Sequence, residues 1–249
     1  TAICMYSLLD APIRSHQARW LDSGVLDENI YNFSTGEYER NYSEYAIADR
    51  NEGVVRLSGS ALRSEKWLAM HINTNKSPRE YDETGKIGYT IPYISPQLAS
   101  LVKVQLDWTH RYLPKLTKPL NYRYHMQQTR ELRKDKDFKG PEIAPLFRDP
   151  SAPGQLIPIG YDKLTRLYVQ LLVETEKRVE SKYNQKIKLT TVDKNGTRQW
   201  VIDLHSLRVS GITNLIEAGV PIEVVQQFVA GHQTLVMTLH YLKYSPEKL

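Results

Sequence analysis

Hydrophobic residues at helical spacing predict several helices along the chain. The apolar opening stretch, residues 1–9, predicts a helix that ends before a proline, and a second helix is predicted from about Ser15 to Leu21. Ser95 and Pro96 supply a hydroxyl cap and a helix-starting proline, so a helix is predicted from there to about Leu113. Apolar side chains at intervals of three and four predict a long amphipathic helix over residues 161–183.

The strand signals are fewer and shorter. Residues 67–73 and 88–93 predict two strands that pair across a polar turn, and Lys194-Asn195-Gly196 predicts a tight hairpin. Residues 34–65 are polar and tyrosine-rich, which is typical of loops with short strands. Residues 114–158 hold seven prolines and little periodicity, which predicts a long irregular excursion. The predicted fold class is mainly α with a small antiparallel β-sheet, an α+β fold.

Three helices are predicted to close the chain. Asp203 caps the first of them and Gly219 ends it. Pro221 begins the second, and the third begins near Thr234. These boundaries divide the last fifty residues into short helical pieces with sharp breaks.

Composition narrows the class of protein. Hydrophobic residues make up 41% of the 249 residues and charged residues 24%, so a packed core is expected. A single cysteine, Cys4, cannot form an intrachain disulfide or a thiolate zinc cluster, which favours a reducing cytoplasmic setting. No apolar run approaches the roughly 20 residues of a membrane-spanning helix, so no membrane partner is expected.

The charge balance is compatible with a nucleic-acid partner. The formal net charge is +5. A basic strip, residues 111–139, has nine Lys or Arg against three Asp or Glu, a local +6. Such a strip is either a solvated loop or a surface that faces phosphates, and both interpretations stay open.

The final fifty residues carry the most specific pattern. His205 and Arg208 are three apart on a predicted helix and can reach one anionic group together. His232 follows Gly231 at a break between two predicted helices, and Tyr241 comes nine residues later. Each of these features is common by itself, but their combination in this order is not.

Taken together, these residues resemble the tyrosine recombinase family, of the phage integrase type. The hallmark boxes of that family are His-x-x-Arg before a helix of small residues, then Gly-His, then Tyr nine positions on. They match this chain at His205, Arg208, Gly231-His232 and Tyr241. Tyr244, three residues later, is a rival nucleophile, and His240 is read as structural or as a DNA contact.

The family also has an earlier arginine near the end of its first helix and a lysine in a strand turn. Arg14 matches the arginine, with Arg19 as the alternative. The family usually has a glutamate three residues after this arginine, where this chain has Gln17, whose amide can still accept a hydrogen bond. Lys76 follows a predicted strand and matches the lysine, with Lys86 as its rival.

The resemblance implies a tyrosine recombinase catalytic domain over residues 1–249, with insertions at about 34–65 and 114–158. We expect an N-terminal core-binding domain to lie outside this sequence. The implied activity is site-specific DNA recombination, in which DNA is cleaved and rejoined through a 3′-phosphotyrosyl intermediate without metal, ATP or another cofactor.

The resemblance assigns a role to each candidate site residue. Tyr241 is the nucleophile, Lys76 the general acid for the 5′-oxygen, and His205 the group that accepts a proton from Tyr241 or positions it. Arg14 and Arg208 are forked cationic donors to the phosphate oxygens, and His232 adds a further donor.

The implied partners are double-stranded DNA and further copies of the chain in a tetramer on DNA, in the nucleoid of a bacterial or phage-type host. Three alternatives remain open: a telomere resolvase or topoisomerase-like enzyme with the same chemistry, an inactive DNA-binding relative, and a metal nuclease that uses His205 and His232.

Overall fold

The structure is a computed structural model that describes residues 1–60, 63–74, 88–122 and 141–230. Its helices, in chain order, are α1 (Ala2–Asp10), α2 (Ser15–Arg19), α3 (Pro96–Tyr112), α4 (Tyr161–Tyr183), α5 (Leu204–Glu217) and α6 (Ile222–Val224). A short 3-10 turn lies at Pro153–Gln155, and a π-helical turn, Val225–Ala230, follows α6.

The strands form small antiparallel sheets. They are β1 (Asn29–Asn32), β2 (Glu37–Arg40), β3 (Val55–Ser60), β4 (Arg63–Ile72), β5 (Tyr89–Ile91), β6 (Leu120–Asn121), β7 (Glu142–Ile143), β8 (Thr190–Val192) and β9 (Arg198–Trp200). β3, β4 and β5 make a three-stranded sheet with β4 in the centre. The other strands pair in sequence, β1 with β2, β6 with β7 and β8 with β9.

The predicted α+β class is confirmed, and so are most of the predicted helices. α2 ends at Arg19, two residues before the predicted boundary, and β4 begins at Arg63 rather than at residue 67. The extra residues of β4 are polar and give no hydrophobic alternation; they are strand because they pair with β3. The predicted helix near Thr234 lies outside the described residues.

Local caps set the helix boundaries that were predicted best. The Ser95 hydroxyl accepts a hydrogen bond from the Leu98 amide at 3.0 Å and begins α3. The Asp203 carboxylate accepts one from the Ser206 amide at 2.8 Å and begins α5. Gly219, at φ +89°, ends α5 in a conformation that few other residues adopt.

The main core lies between the three-stranded sheet and helices α1, α3 and α4. It is built from apolar side chains on every element that surrounds it, among them Cys4, Leu8, Met70, Ile72, Leu98, Val102, Leu164, Tyr168 and Leu204. Each such side chain contributes roughly 1.5–3 kcal/mol when it leaves water. The core therefore joins the first helix of the chain to the first residue of α5.

Part of the predicted irregular excursion belongs to the interior. Ile143, Ala144, Leu146 and Phe147 are buried, and Leu146 and Phe147 join the main core. The segment gives no helical or strand periodicity because its ordered parts are very short, the two-residue strand β7 and the bridge between Asp22 and Pro145. Most of the basic strip lies outside the described residues.

A buried polar network lies beside this core. Arg50 forms ion pairs with both Asp22 and Asp27, which are 0% and 2% exposed. Asp22 also accepts hydrogen bonds from the Gly24 amide at 2.8 Å and the Ala144 amide at 2.7 Å. These charges are buried but satisfied, and they tie together segments that are distant in the sequence.

Among the described helices, none combines the length and apolar character needed to cross a membrane.

Candidate active site

Arg208 joins the two ends of the described chain. It lies in the second turn of α5, is 1% exposed, and its Nη1 donates a hydrogen bond to the backbone carbonyl of Pro12. Pro12 is two residues before Arg14. The structure therefore places Arg208 against a segment that lies two residues before Arg14 and almost two hundred positions away in the sequence.

A glycine lets α5 approach this segment closely. At Gly211, three residues after Arg208, an added Cβ atom would lie 2.9 Å from the Pro12 Cβ, closer than side chains normally pack. Gly211 lies inside a helix, where glycine costs roughly 1 kcal/mol relative to alanine. Its presence is explained by the contact with Pro12.

Arg14 is the half-buried residue at the start of α2, and the buried Gln17 fixes its backbone. The Gln17 Oε1 accepts a hydrogen bond from the Arg14 amide at 3.0 Å, which confirms that an amide at this position can accept. The Gln17 Nε2 donates to the Thr74 carbonyl at 2.9 Å. One side chain thus connects Arg14 to the end of β4.

A second residue, Asn73, also fixes the end of β4. Asn73 is buried; its Oδ1 accepts from the Asp22 amide at 3.2 Å and its Nδ2 donates to the Glu52 carboxylate at 2.9 Å. The strand end is therefore fixed up to Thr74. Lys76 and its rival Lys86 lie outside the described residues.

His205 differs from Arg208 in its surroundings, although both lie on α5. His205 is exposed and Arg208 is buried. Next to them, the Ser206 hydroxyl donates to the Asp203 carboxylate, and this bond is the main reason why the pKa of Asp203 lies below its usual value. The start of α5 is thus a polar, hydrogen-bonded turn that carries an exposed imidazole.

Arg19, the alternative to Arg14, contacts another part of the molecule. Its Nε donates to the Ile159 carbonyl at 2.7 Å, and burial lowers the pKa of its guanidinium. Because the Arg19 side chain binds Ile159, Arg14 is favoured as the arginine next to the Pro12–Arg208 contact.

The described chain ends close to the same region. The π-helical turn Val225–Ala230 packs against both α5 and β5, the strand that follows Lys76 and Lys86 in the sequence. Gly231 is the next residue in the sequence. His232, Tyr241, Tyr244 and His240 lie outside the described residues.

Sequence reasoning missed two sets of residues around this site. Gln17 was recognised as an acceptor but its donor bond to Thr74 was not predicted, because the two residues are 57 positions apart. The Arg50, Asp22 and Asp27 network was not predicted either. Charged residues in segments that are predicted as loops are usually exposed to solvent. The residue types alone therefore do not indicate that these three side chains are buried.

Metal-ligating side chains do not cluster in the described part of the chain, where no three His, Cys, Asp or Glu residues form a group that could hold an ion. Burial raises the pKa of the Cys4 thiol to about 12, so Cys4 is a core residue and not a nucleophile.

Comparison with protein families finds a match over the first part of the chain. Residues 1–123 match the family described as "Putative integrase". The match confirms the resemblance to integrases over those residues. It includes Arg14, Gln17 and Lys76 and ends before α5.

Comparison with solved structures finds complexes of the Tn1549 transposon integrase with DNA. One, with transposon right end DNA, has 13% identity and a TM-score of 0.46, and the match covers 99% of this chain and 55% of that chain. Another, with circular intermediate DNA, has 14% identity and a TM-score of 0.45, with 99% and 54% covered. The chain thus spans about half the length of these integrases. No curated protein matches the chain significantly.

Proposed function

We propose that this chain, whose residues 1–123 match the integrase family, is the catalytic part of a tyrosine recombinase that cleaves and rejoins double-stranded DNA. The proposed domain comprises residues 1–249, with additional segments at about 34–65 and 114–158. In the full protein it acts with an N-terminal core-binding domain and assembles as a tetramer on DNA in a bacterial or phage-type host. The solved integrases with which it shares similarity are complexes with DNA, which agrees with this partner.

The observation that carries the proposal is the contact between Arg208 and Pro12. Arg208 binds the carbonyl of Pro12, and Arg14 follows Pro12 by two residues, so the contact joins the segments that carry the two arginines. A pair of guanidinium groups that converge can bind the non-bridging oxygens of a phosphodiester and stabilise the charge that builds up during attack.

The described contacts support preorganisation of these groups. Arg208 is buried and bonded to the Pro12 carbonyl, so it has little rotamer freedom, and the Gln17 amide fixes the Arg14 backbone. Because Arg208 is 1% exposed, a phosphate reaches it only when the groups that cover it move as DNA binds.

In the proposed reaction the Tyr241 oxygen attacks the scissile phosphorus and the bond to the 5′-oxygen breaks. Lys76 donates a proton to that departing oxygen, and His205 accepts the proton of the phenol or positions it. His232 donates to a phosphate oxygen. The 3′-phosphotyrosyl ester keeps the bond energy, so a 5′-hydroxyl of the partner strand can reverse the step without metal or ATP.

A suicide-substrate assay on the full-length protein tests this proposal. On a nicked duplex that loses the short strand after cleavage, the wild-type protein should form a covalent protein–DNA adduct that is visible on a denaturing gel. Tyr241→Phe should form none because it lacks the attacking oxygen, while its affinity for intact DNA changes less than about twofold.

Tyr244→Phe is the matched control, since it removes a phenol three residues away on the same predicted helix. It should retain adduct formation. An adduct with Tyr241→Phe that disappears with Tyr244→Phe would transfer the nucleophile role to Tyr244, and no adduct with any protein would refute the proposed reaction.

A further inference from the structure

A cleft of about 880 Å³ lies away from the Pro12–Arg208 junction, between the β1–β2 hairpin with its following loop and the C-terminal half of α3. Its volume is in the range of small-ligand sites in proteins. Arg14, His205 and Arg208 do not line it. The proposed strand-cleavage reaction therefore leaves this cleft without a role.

A buried arginine lies in the wall of the cleft. Arg148 is 4% exposed and donates from Nε to the Gln155 carbonyl and from Nη2 to the Pro114 carbonyl, each at 2.8 Å. Within the described ranges it has no carboxylate partner, and Nη1 has no hydrogen-bond partner. Burial of this charge lowers the pKa of Arg148. A buried cation without a counter-ion is costly, and an anion at Nη1 would offset that cost.

A second cation lines the same cleft. Lys115, which also lines the cleft, directly follows Pro114, the residue whose carbonyl accepts from Arg148. Lys115 is exposed and forms no ion pair with any residue that the structure describes. Both cations thus line one cleft, and Arg148 and Lys115 together are called its cationic pole.

The acidic side chains of the cleft do not cancel this pole. Asp27 is paired with Arg50, a cation that it shares with Asp22, and Asp107 pairs with Lys103 at 2.7 Å. The other acidic lining residues, Glu39 and Glu44, are exposed, where water screens their charge.

Aromatic rings line the same cleft as the two cations. Tyr45 packs against a buried cluster that includes Leu116, the residue after Lys115. Tyr42 is 90% exposed, and further rings line the same cleft on the β1–β2 hairpin. A cleft that has both planar aromatic faces and a cationic pole fits a ligand that has both a flat ring and an anionic group.

We propose that this cleft binds a nucleotide unit, with its phosphate at Arg148 and Lys115 and its base against the tyrosines Tyr42 and Tyr45. Guanidinium and ammonium groups are the usual protein donors to phosphate, and aromatic side chains stack on any base. The unit is either a free nucleotide or one residue of a single strand, since both present the same base and phosphate.

Calorimetric titration of the full chain tests the site, with thymidine 5′-monophosphate as the probe and with thymidine and inorganic phosphate as partial ligands. The monophosphate should bind at least tenfold more tightly than either part alone. Lys115→Ala should weaken it roughly tenfold, the usual effect of losing one charge-assisted bond, and Tyr42→Ala by a similar factor. Both residues are exposed, so both variants should fold.

The matched controls are Lys118→Ala and Tyr183→Ala, which remove an exposed lysine and an exposed tyrosine that do not line the cleft. Their affinities should stay within twofold of wild type. Tighter binding of an oligothymidylate than of the monophosphate, with the same loss in Lys115→Ala, would assign the unit to a strand. Equal binding of phosphate and monophosphate, equal losses in the controls, or no binding of any probe would overturn the proposal. None of these outcomes depends on strand cleavage.

Discussion

Gln17 shows how a single side chain can connect two parts of a site. Its amide oxygen accepts from the Arg14 amide and its amide nitrogen donates to the Thr74 carbonyl. A carboxylate has acceptors only, so it could make the first bond but not the second. Gln17 is therefore a residue for which glutamine and glutamate are not equivalent.

We predict that Gln17→Glu makes stability depend on pH. The buried carboxylate would face the Thr74 carbonyl, so its pKa in the folded state would lie above the unfolded value of about 4.3. Below about pH 4.3 the protonated acid can still donate to Thr74, and the variant should match the wild type. As the pH rises through the folded-state pKa the variant should lose about 2–3 kcal/mol of its free energy of unfolding.

Urea unfolding of both proteins between pH 4 and 8 measures this difference. Gln170→Glu, an exposed change on α4, is the control and should show no such trend. A deficit that is the same at every pH, or no deficit at all because the carboxylate pairs with Arg14, would contradict the prediction.

At the scale of elements, α5 depends on a small residue where it crosses the Pro12 segment. Its first turn is capped locally by Asp203, but its position is set by the contacts of Arg208 and Gly211 with Pro12. Cap and end residues are local signals, so the bounds of α5 were predictable, whereas its crossing with the Pro12 segment was not.

We predict that Gly211→Ala weakens the fold and the site together. The added methyl group gains about 1 kcal/mol of helix propensity but overpacks against Pro12, which costs about 1–3 kcal/mol. The net result should be a lower melting temperature and, because α5 moves away from Pro12, a slower rate of covalent adduct formation. Ser210→Ala, on an exposed position of the same helix, should leave both unchanged. A Gly211→Ala protein that is more stable and equally active would show that the contact has no role.

The three-stranded sheet shows the same division between local and distant signals. β4 and β5 were predicted as a pair because each has its own apolar run. β3 was missed as their neighbour, and β4 was predicted too short, because polar residues 63–66 become strand only through pairing with β3.

For the whole molecule, the network of Arg50 with Asp22 and Asp27 joins segments that share no secondary structure. Asp22 binds the Ala144 amide and Asn73 binds the Asp22 amide. The network therefore supports the end of β4, on which Gln17 also depends. Buried charges of this kind are stable only while every partner is present.

We predict that Arg50→Met destabilises the protein by about 3–5 kcal/mol, because it leaves two buried carboxylates without their cation. Thermal or urea unfolding measures the change. Arg166→Met breaks an ion pair with Asp162 that is largely exposed, and it should cost less than about 1 kcal/mol. Equal effects of the two substitutions would mean that the Arg50 network is solvated rather than buried.

The sequence alone determined the helices, their caps, the α+β class and the residue types of the candidate site, because these depend on neighbours within a few positions or on a motif in order. Only the tertiary structure decided that Arg208 binds the Pro12 carbonyl, that Gln17 reaches Thr74, and that Arg148 lies buried in a cleft. Each of these arrangements depends on groups that packing brings together from distant parts of the sequence. Such contacts have no local pattern, since a side chain carries no mark of the distant partner that burial will give it.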